Sequence, residues 1–382
     1  MKTYSTLIVT AGASMLGNLT RDQTANSLYS TGYYEEIGKR MAKEAWGDPE
    51  VERFYGSEIN STVSLIRNFE KLESAKLSRG NLFIMVSDTD VGRNIGSIVK
   101  PFFTEHPTLS FDNVQVVVID DLKDDDEQAF AKNGLRNVVR KFAEIARNYR
   151  DSVLVNPTGG YKAQIAFALA LGQAMKFPIY YRFESFNKII RIPPLPVSLD
   201  WELYLKHYEL LETLEEDVIL ETELAEKTGY TNYAEIPEAV KTFIDRDKID
   251  KDHYLALSAM GQVFLESARE RIQLDVRLDD SLKQPDQKIK IKNHEENARK
   301  FNARHRVLEQ LAEVPFVDLV RQTGYGEHFD KNQIKAKLAQ NPNEIQLSYG
   351  AKGGILHVVV ETTASNEREG HSALLRIKEA LQ

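Results

Sequence analysis

The sequence predicts a mixed α/β protein in three parts: an N-terminal doubly wound parallel sheet, a middle winged-helix-like α module and a small C-terminal α+β domain. Three observations lead there. Over the first two hundred residues, β-branched runs alternate with amphipathic stretches, the pattern of βα units around a parallel sheet. Pro193, Pro194 and Pro196, and later the polar string Lys283-Gln-Pro-Asp-Gln287, interrupt regular structure and divide the chain into 1–197, 198–284 and 285–382. Charge is also partitioned: residues 204–282 hold nine Lys and Arg against nineteen Asp and Glu, whereas 284–382 hold fifteen against thirteen. A chain of 382 residues is long enough for two or three separate cores.

In the first part, the expected strands are Ser5–Thr10, Asn81–Val86, Val114–Ile119, Ser152–Val155 and Ile179–Arg182, with Ile189–Ile192 as a late edge strand. Between them, apolar residues three and four apart predict helices at Glu35–Ala45, Ile59–Leu72, Ile95–Phe103, Ala129–Asn148 and Tyr161–Met175. The middle part reads as helices at Trp201–Leu214, Glu221–Lys227 and Ala234–Asp245, followed by Tyr254–Leu257 and Gly261–Leu265 as a wing or a further helix. In the last part, Lys288–Lys292 is an expected edge strand. Glu295–Ala312 and Pro315–Thr323 read as helices, Gln333–Leu338, Glu344–Tyr349 and Ile355–Glu361 as strands, and Ser372–Leu381 as the closing helix. The expected order is β-α-α-β-β-β-α.

Several chemistries are excluded at once. The chain has no Cys, so thiolate nucleophiles, disulfides and Cys-based zinc sites are impossible. The longest apolar stretch, Ala163–Met175, is far short of the roughly 20 residues that span a bilayer, so no membrane partner is expected. The apolar run after Lys2 leads into a βα unit rather than a signal-peptide cleavage site, and the expected location is cytoplasmic. Net charge is −8, and the proposed recognition helix of the middle module carries Glu235, Glu238 and Asp245 against Lys241 and Arg246. Such a surface repels phosphates, which argues against DNA as a partner. That module is expected to space the domains or dock on a basic surface.

Three turns at strand ends have the composition of anion cradles: Thr10-Ala-Gly-Ala-Ser14, Ser87-Asp-Thr-Asp-Val-Gly92 and Asn156-Pro-Thr-Gly-Gly-Tyr-Lys-Ala163. Glycines at a helix N-terminus expose backbone N–H groups that bind anions, and ligands of open parallel sheets bind at the carboxyl ends of the strands. Gly12 to Gly17 has P-loop spacing, but Asn18-Leu19 stands where Lys-Ser/Thr is required, and no dinucleotide fingerprint follows a strand. The string Asn156-Pro-Thr-Gly-Gly-Tyr-Lys162, ending a late strand of a Rossmann-like sheet that begins with a Thr-x-Gly-x-Ser turn, resembles the CARF domain of CRISPR-associated effectors over residues 1–197. The resemblance implies a homodimer that binds a cyclic oligoadenylate, cyclic tetra-adenylate in preference to the six-membered ring, as an allosteric activator. Ala11, Gly12, Ala13 and Ser14 would line the ring. Ser87, Asp88 and Thr89 would contact it, and Asn156, Thr158, Gly159, Gly160 and Lys162 would hold phosphate and ribose.

In the tail, five of the eight His (His294, His305, His328, His357 and His371) accompany the cations. Lys335 and Lys337 alternate on one strand and so share a face; His357 lies on another, and Asn366-Glu-Arg368-Glu-Gly-His371 precedes the last helix. Cations and imidazoles without metal ligands suit RNA cleavage by the neighbouring 2′-hydroxyl, which needs proton transfer and stabilisation of an anionic phosphorane. Two alternatives stay open. Arg299 and His305 have the spacing of a HEPN ribonuclease, an all-helical domain, and Glu361 at a strand end is one ligand of a metal-dependent nuclease that lacks its first Asp. The order of elements, Lys-x-Lys on the second strand, the run Ile355-Leu-His-Val-Val-Val360 and Glu-Arg-Glu before a terminal helix resemble the RelE toxins over residues 288–382. That resemblance implies a ribosome-dependent mRNA endonuclease that needs no catalytic cofactor, with Lys335 and Lys337 as base and phosphate ligand, Arg368 as charge stabiliser and His371 as acid or stacking group. The family's third-strand arginine has no match, since Glu344 and Gln346 stand there; Lys352 or His328 would compensate. A sensor fused to a nuclease is the expected whole, and a non-enzymatic regulator reading DNA through the middle module is the runner-up.

Overall fold

The computed structural model describes residues 2–22, 33–44, 46–183, 188–194, 199–291, 296–327, 329 and 331–381. Ala45, Pro196, Lys292, His294, Glu295 and His328, which enter the expectations above, lie outside them. The chain forms two compact units, one of Met1–Leu199 with Leu211–Ser267 and one of Asp200–Leu210 with Ala268–Gln382. No helix among the described residues is long and apolar enough to cross a membrane.

The first unit is built on six strands, β1 (Lys2–Thr10), β2 (Ala75–Ser87), β3 (Asn113–Ile119), β4 (Val153–Asn156), β5 (Ile179–Arg182) and β6 (Ile189–Ile192), in the order β3-β2-β1-β4-β5-β6. All neighbours are parallel except the β5–β6 pair. Leu7 and Val9 pack on one face with Ile59, Val63 and Phe102, while Ile8 points to the other face with Val155, Phe142 and Leu171. Burial on both faces explains why these strands read as continuous apolar runs. Strand order reverses between β1 and β4, which places a crevice beyond their carboxyl ends.

Most expected elements form, with shifted ends. The helix Ser14–Arg21, hidden by its short polar sequence, follows β1 directly. The expected Ala129–Asn148 helix opens with a π-helical turn, Ala129–Gly134, before Leu135–Tyr149. Trp201–Leu214 is broken at His207 into Trp201–Lys206 and Tyr208–Glu216. The largest change in the middle is at Ala234–Asp245. Pro237 holds Ile236 extended, as a residue before proline prefers. Only Glu238–Lys241 is α-helical, and Asp245 lies on strand β8 (Ile244–Ile249). A two-residue turn with Asp250 at φ 55 leads into β9 (Asp252–Leu257), and with β7 (Ile219–Leu220) the strands form the sheet β7-β9-β8. The proposed recognition helix is therefore a single turn.

The second unit holds a five-stranded sheet in the order β10-β11-β14-β13-β12, made of β10 (Ile289–Ile291), β11 (Val317–Gly326), β12 (Gln333–Leu338), β13 (Glu344–Ala351) and β14 (Gly354–Thr362). Pro315–Thr323, expected as a helix, is mostly strand β11, flanked by β10 and β14. Register shifts at Val317/Leu319 and Gln322/Gly324 disturb its alternation, so its apolar spacing imitates a helix. The Glu295–Ala312 segment divides at Arg306, φ 53, into Glu296–His305 and Val307–Glu313. The observed order is β-α-α-β-β-β-β-α, closing with Glu367–Ala380. A sheet of this size is incompatible with the all-helical HEPN alternative.

Candidate functional sites

At the switch point, the turns after β1 and β4 touch backbone to backbone. A Cβ on Gly12 would lie 2.6 Å from the Gly160 nitrogen, and one on Gly159 would lie 2.5 Å from the Thr10 carbonyl oxygen. Only glycine permits this approach. Thr10 Oγ1 donates to the Gly159 carbonyl, and Gly160 takes φ 88. Tyr161 N–H donates to Gln164 Oε1 at 2.8 Å, tying the turn to the helix Lys162–Met175. The N–H groups of Gly159 and Gly160 make no hydrogen bond among the described residues. They are free donors at a helix N-terminus, where partial positive charge favours anions.

The sequence-predicted ligand residues divide by exposure. Ala13, Ser14 and Lys162 are exposed, Gly12, Asp88, Thr89, Thr158 and Gly160 are half-buried, and Ala11, Ser87, Asn156 and Gly159 are buried. Asn156 faces inward: its Nδ2 donates to Ser61 Oγ at 2.8 Å, and its Oδ1 accepts from Thr158 Oγ1 at 2.5 Å. It braces the turn from below. Thr89 caps the helix Asp90–Glu105 by accepting from Gly92 N–H at 3.0 Å and pairs with the Ser87 hydroxyl at 2.9 Å. Asp88 is ion-paired with Arg93 and with Lys123.

Sequence reasoning missed Glu58. It is 1% exposed, and its Oε1 accepts from Gly12 N–H at 2.5 Å. A Cβ on Gly159 would lie 2.9 Å from its Cγ, so this carboxyl underlies both turns. Burial pushes its pKa up to about 7, against the lowering effect of the Gly12 N–H bond. The only sequence signal was an acid at the start of an apolar helix, which reads equally as an ordinary first-turn Glu.

In the second unit, register sorts the cations. Lys335 stands opposite Ser348, which stands opposite His357; Lys337 stands opposite Gln346, then Val359 and Arg321. These positions share one sheet face. Ser348 Oγ is 2.8 Å from His357 Nδ1. On the same face Arg321 Nη2 pairs with Glu361 Oε1 at 2.9 Å, so the carboxylate considered as a metal ligand is held by a guanidinium. Lys335, Lys337 and Gln346 are exposed and His357 is half-buried.

Arg368 and His371 do not join them. The last helix packs on the opposite side, where a Cβ on Gly370 would lie 3.0 Å from Leu338 Cδ1, and Leu338 alternates away from Lys337. Arg368 stacks its guanidinium 4.1 Å above the Trp201 ring. His371 is 4% exposed, with Nδ1 2.8 Å from the Glu367 carbonyl and its ring edge-on to Tyr208 at 4.8 Å. Lys352 sits on the β13–β14 turn rather than in the Lys335 row. In the middle module, Lys227, Lys241 and Arg246 pair with Glu223, Glu238 and Glu221. Phosphate contact by these three side chains would require breaking those pairs.

The first unit thus presents a largely parallel α/β sheet whose glycine turns after β1 and β4 meet at the switch point. Residues 53–195 match the family model described as CRISPR-associated protein (Cas_APE2256). The match takes in Glu58 and the turns after β2 and β4, and ends before the second unit's sheet. A structure of Can2 from Sulfobacillus thermosulfidooxidans in complex with cyclic tetra-adenylate is similar at 9% identity and TM-score 0.23, covering 94% of this chain and 75% of that one. A likeness of that strength says nothing about shared chemistry. No curated protein matches the chain.

Proposed function

We propose that the chain is an ancillary effector of type III CRISPR defence, a homodimer in which cyclic tetra-adenylate bound at the switch-point turns licenses a RelE-like ribonuclease in residues 285–382. The sensing half rests on one observation: the Gly12 and Gly159-Gly160 turns meet, and the Gly159 and Gly160 N–H groups have no hydrogen bond among the described residues, which leaves them as donors for a phosphate. The match over residues 53–195 supports the CRISPR setting. A two-fold dimer offers duplicate turns to a ring with duplicate phosphates, and the ring acts as a switch only if it favours one state of the dimer.

The catalytic half rests on the row Lys335–Ser348–His357. Cleavage by this route removes a proton from the 2′-hydroxyl, forms an O–P bond to a dianionic phosphorane and expels the protonated 5′-oxygen. Lys335 and Lys337 supply fixed positive charge for the phosphorane, and His357, oriented by Ser348, takes the 2′-hydroxyl proton and returns it to the 5′-oxygen as the P–O5′ bond breaks. His357 takes the place first considered for His371, which is buried elsewhere. The reading is tested by incubating the protein with translating ribosomes, with and without cyclic tetra-adenylate, and mapping the cuts. In-frame, ring-dependent cuts are expected. Out-of-frame cuts, or equal cleavage of ribosome-free transcript, would overturn it.

A further inference from the structure

The second unit has a cleft away from the Lys335 row. The helix Glu296–His305 lines one wall with residues three and four apart, Lys300, Phe301 and Arg304, and the end of β11 and the β13–β14 turn line the other with Tyr325 and Lys352. Its volume is about 460 Å³, within the range of small-ligand sites. Three cations face it against one carboxylate, Glu327, whose Oε1 accepts from Asn297 Nδ2 at 2.6 Å. Among the described residues, Arg304 and Lys352 have no ion pair, and Lys300 pairs with the exposed Glu296 alone. Phe301 is 5% exposed and forms an apolar floor. Its ring lies 5.6 Å from that of Tyr325, whose hydroxyl donates to the Gly353 carbonyl at 2.8 Å and so holds the hairpin turn beside the aromatic pair. A Cβ on Gly353 would meet nothing within 4 Å, so the mouth is open at that side.

Cations around an aromatic wall, two of them without an ion pair among the described residues, match a nucleotide: phosphate oxygens on the guanidinium and ammonium groups, and a base against the ring. We propose that this cleft is a subsite for single-stranded RNA, holding one base against Tyr325 and the adjoining phosphates on Arg304, Lys352 and Lys300. The proposal rests on the reading of residues 285–382 as a ribonuclease, and names where the strand is gripped rather than where it is cut. Arg304 and Lys352 are exposed, so replacing them leaves the core intact.

The test is fluorescence anisotropy of a labelled ten-nucleotide single-stranded RNA against the full chain across a salt series. Lys335→Ala serves as a cleavage-impaired background, and in-frame cutting on ribosomes is measured in parallel with the wild-type protein. Adding Arg304→Ala and Lys352→Ala is expected to weaken binding about tenfold or more and to reduce the slope of log K against log salt by about 1.4, the value for two lost phosphate contacts on a single strand. Unchanged affinity and slope in that variant would overturn the subsite, even with ribosomal cutting intact. No binding of the oligonucleotide by the parent protein would overturn it too. Loss of in-frame cutting in the wild-type protein, with the binding effect present, would instead remove the nuclease reading and leave an RNA-binding cleft.

Discussion

Arg140 Nη2 lies 2.9 Å from Glu215 Oε1 and donates to the carbonyl oxygen of the same residue at 2.7 Å. It is one contact of a basic stripe: Lys132 pairs with Asp247 at 2.5 Å, Arg136 donates to the Glu215 carbonyl at 3.1 Å, and Arg147 pairs with Glu266. The acidic excess of the middle segment, which in sequence suggested docking on a foreign basic surface, is met in part within the first unit. Burial and the neighbouring Arg140 push the Arg136 pKa down to about 10, which still leaves it charged at neutral pH.

These contacts differ in worth. Glu266 has side-chain exposure of 3% and Arg147 25%, whereas Arg140 is 35% exposed. Removing one member of a buried pair costs up to about 3 kcal/mol, here moderated by the bond that Glu266 Oε1 still accepts from Gln262 Nε2 at 2.9 Å, while a solvent-screened pair is worth under about 1 kcal/mol. Arg147→Ala is therefore expected to shift the urea midpoint of the first unit's unfolding far more than Arg140→Ala. Equal shifts would show that Glu266 is hydrated in solution.

Glu58 sets a pH dependence. Its pKa rises from 4.5 to about 7 on folding, so between those values the native state holds a proton that the unfolded chain has released. Its stabilising contribution is full below pH 4.5 and is lost as pH rises towards 7, by up to about 3 kcal/mol. Glu58→Gln keeps an acceptor for Gly12 N–H and removes the titration. Chemical denaturation at pH 5 and pH 8 is expected to show a smaller difference in stability for the variant than for the parent.

Gly12→Ala places a methyl group 2.6 Å from the Gly160 nitrogen, forcing the two turns apart. Affinity for cyclic tetra-adenylate, read by calorimetry, is expected to fall at least tenfold. Gly17→Ala is the matched control. It lies in the helix Ser14–Arg21, with nothing within 4 Å of its Cβ position, and is expected to retain binding and gain about 0.5–1 kcal/mol of stability.

How much of this was legible follows from what sequence patterns encode. The parallel sheet was readable because strands buried on both faces leave unbroken apolar runs, and the edge strand Ile189–Ile192 sits where its late position implied. Strand β11 was not, since two register shifts spoil its period. Lys335 and Lys337 were correctly assigned to one face by alternation alone. Their alignment with Ser348 and His357 depends on pairing register, which is set by hairpin turns and has no local signature. His371 was misjudged for a related reason: nothing near it in sequence announces Tyr208, 163 positions earlier, as the ring that covers it.

The histidines separate the two arrangements of the catalytic half. If the row on the open face does the chemistry, Lys335→Ala and His357→Ala each lower ring-activated cleavage on ribosomes by roughly 10² to 10⁴, the usual worth of a positioned proton-transfer or charge-stabilising group. Thermal stability should change little, because Lys335 is exposed and His357 half-buried. Ser348→Ala removes only the 2.8 Å bond that orients the imidazole and is expected to cost less. His371→Ala should do the reverse: it opens a cavity beside Tyr208 and removes the contact with the Glu367 carbonyl, lowering the melting temperature while the folded fraction keeps its rate. Cleavage rate per folded molecule, measured for the four variants beside their circular-dichroism melts, distinguishes the cases. Full activity in His357→Ala with a dead but fully stable His371→Ala would move the reaction to the other side of the sheet.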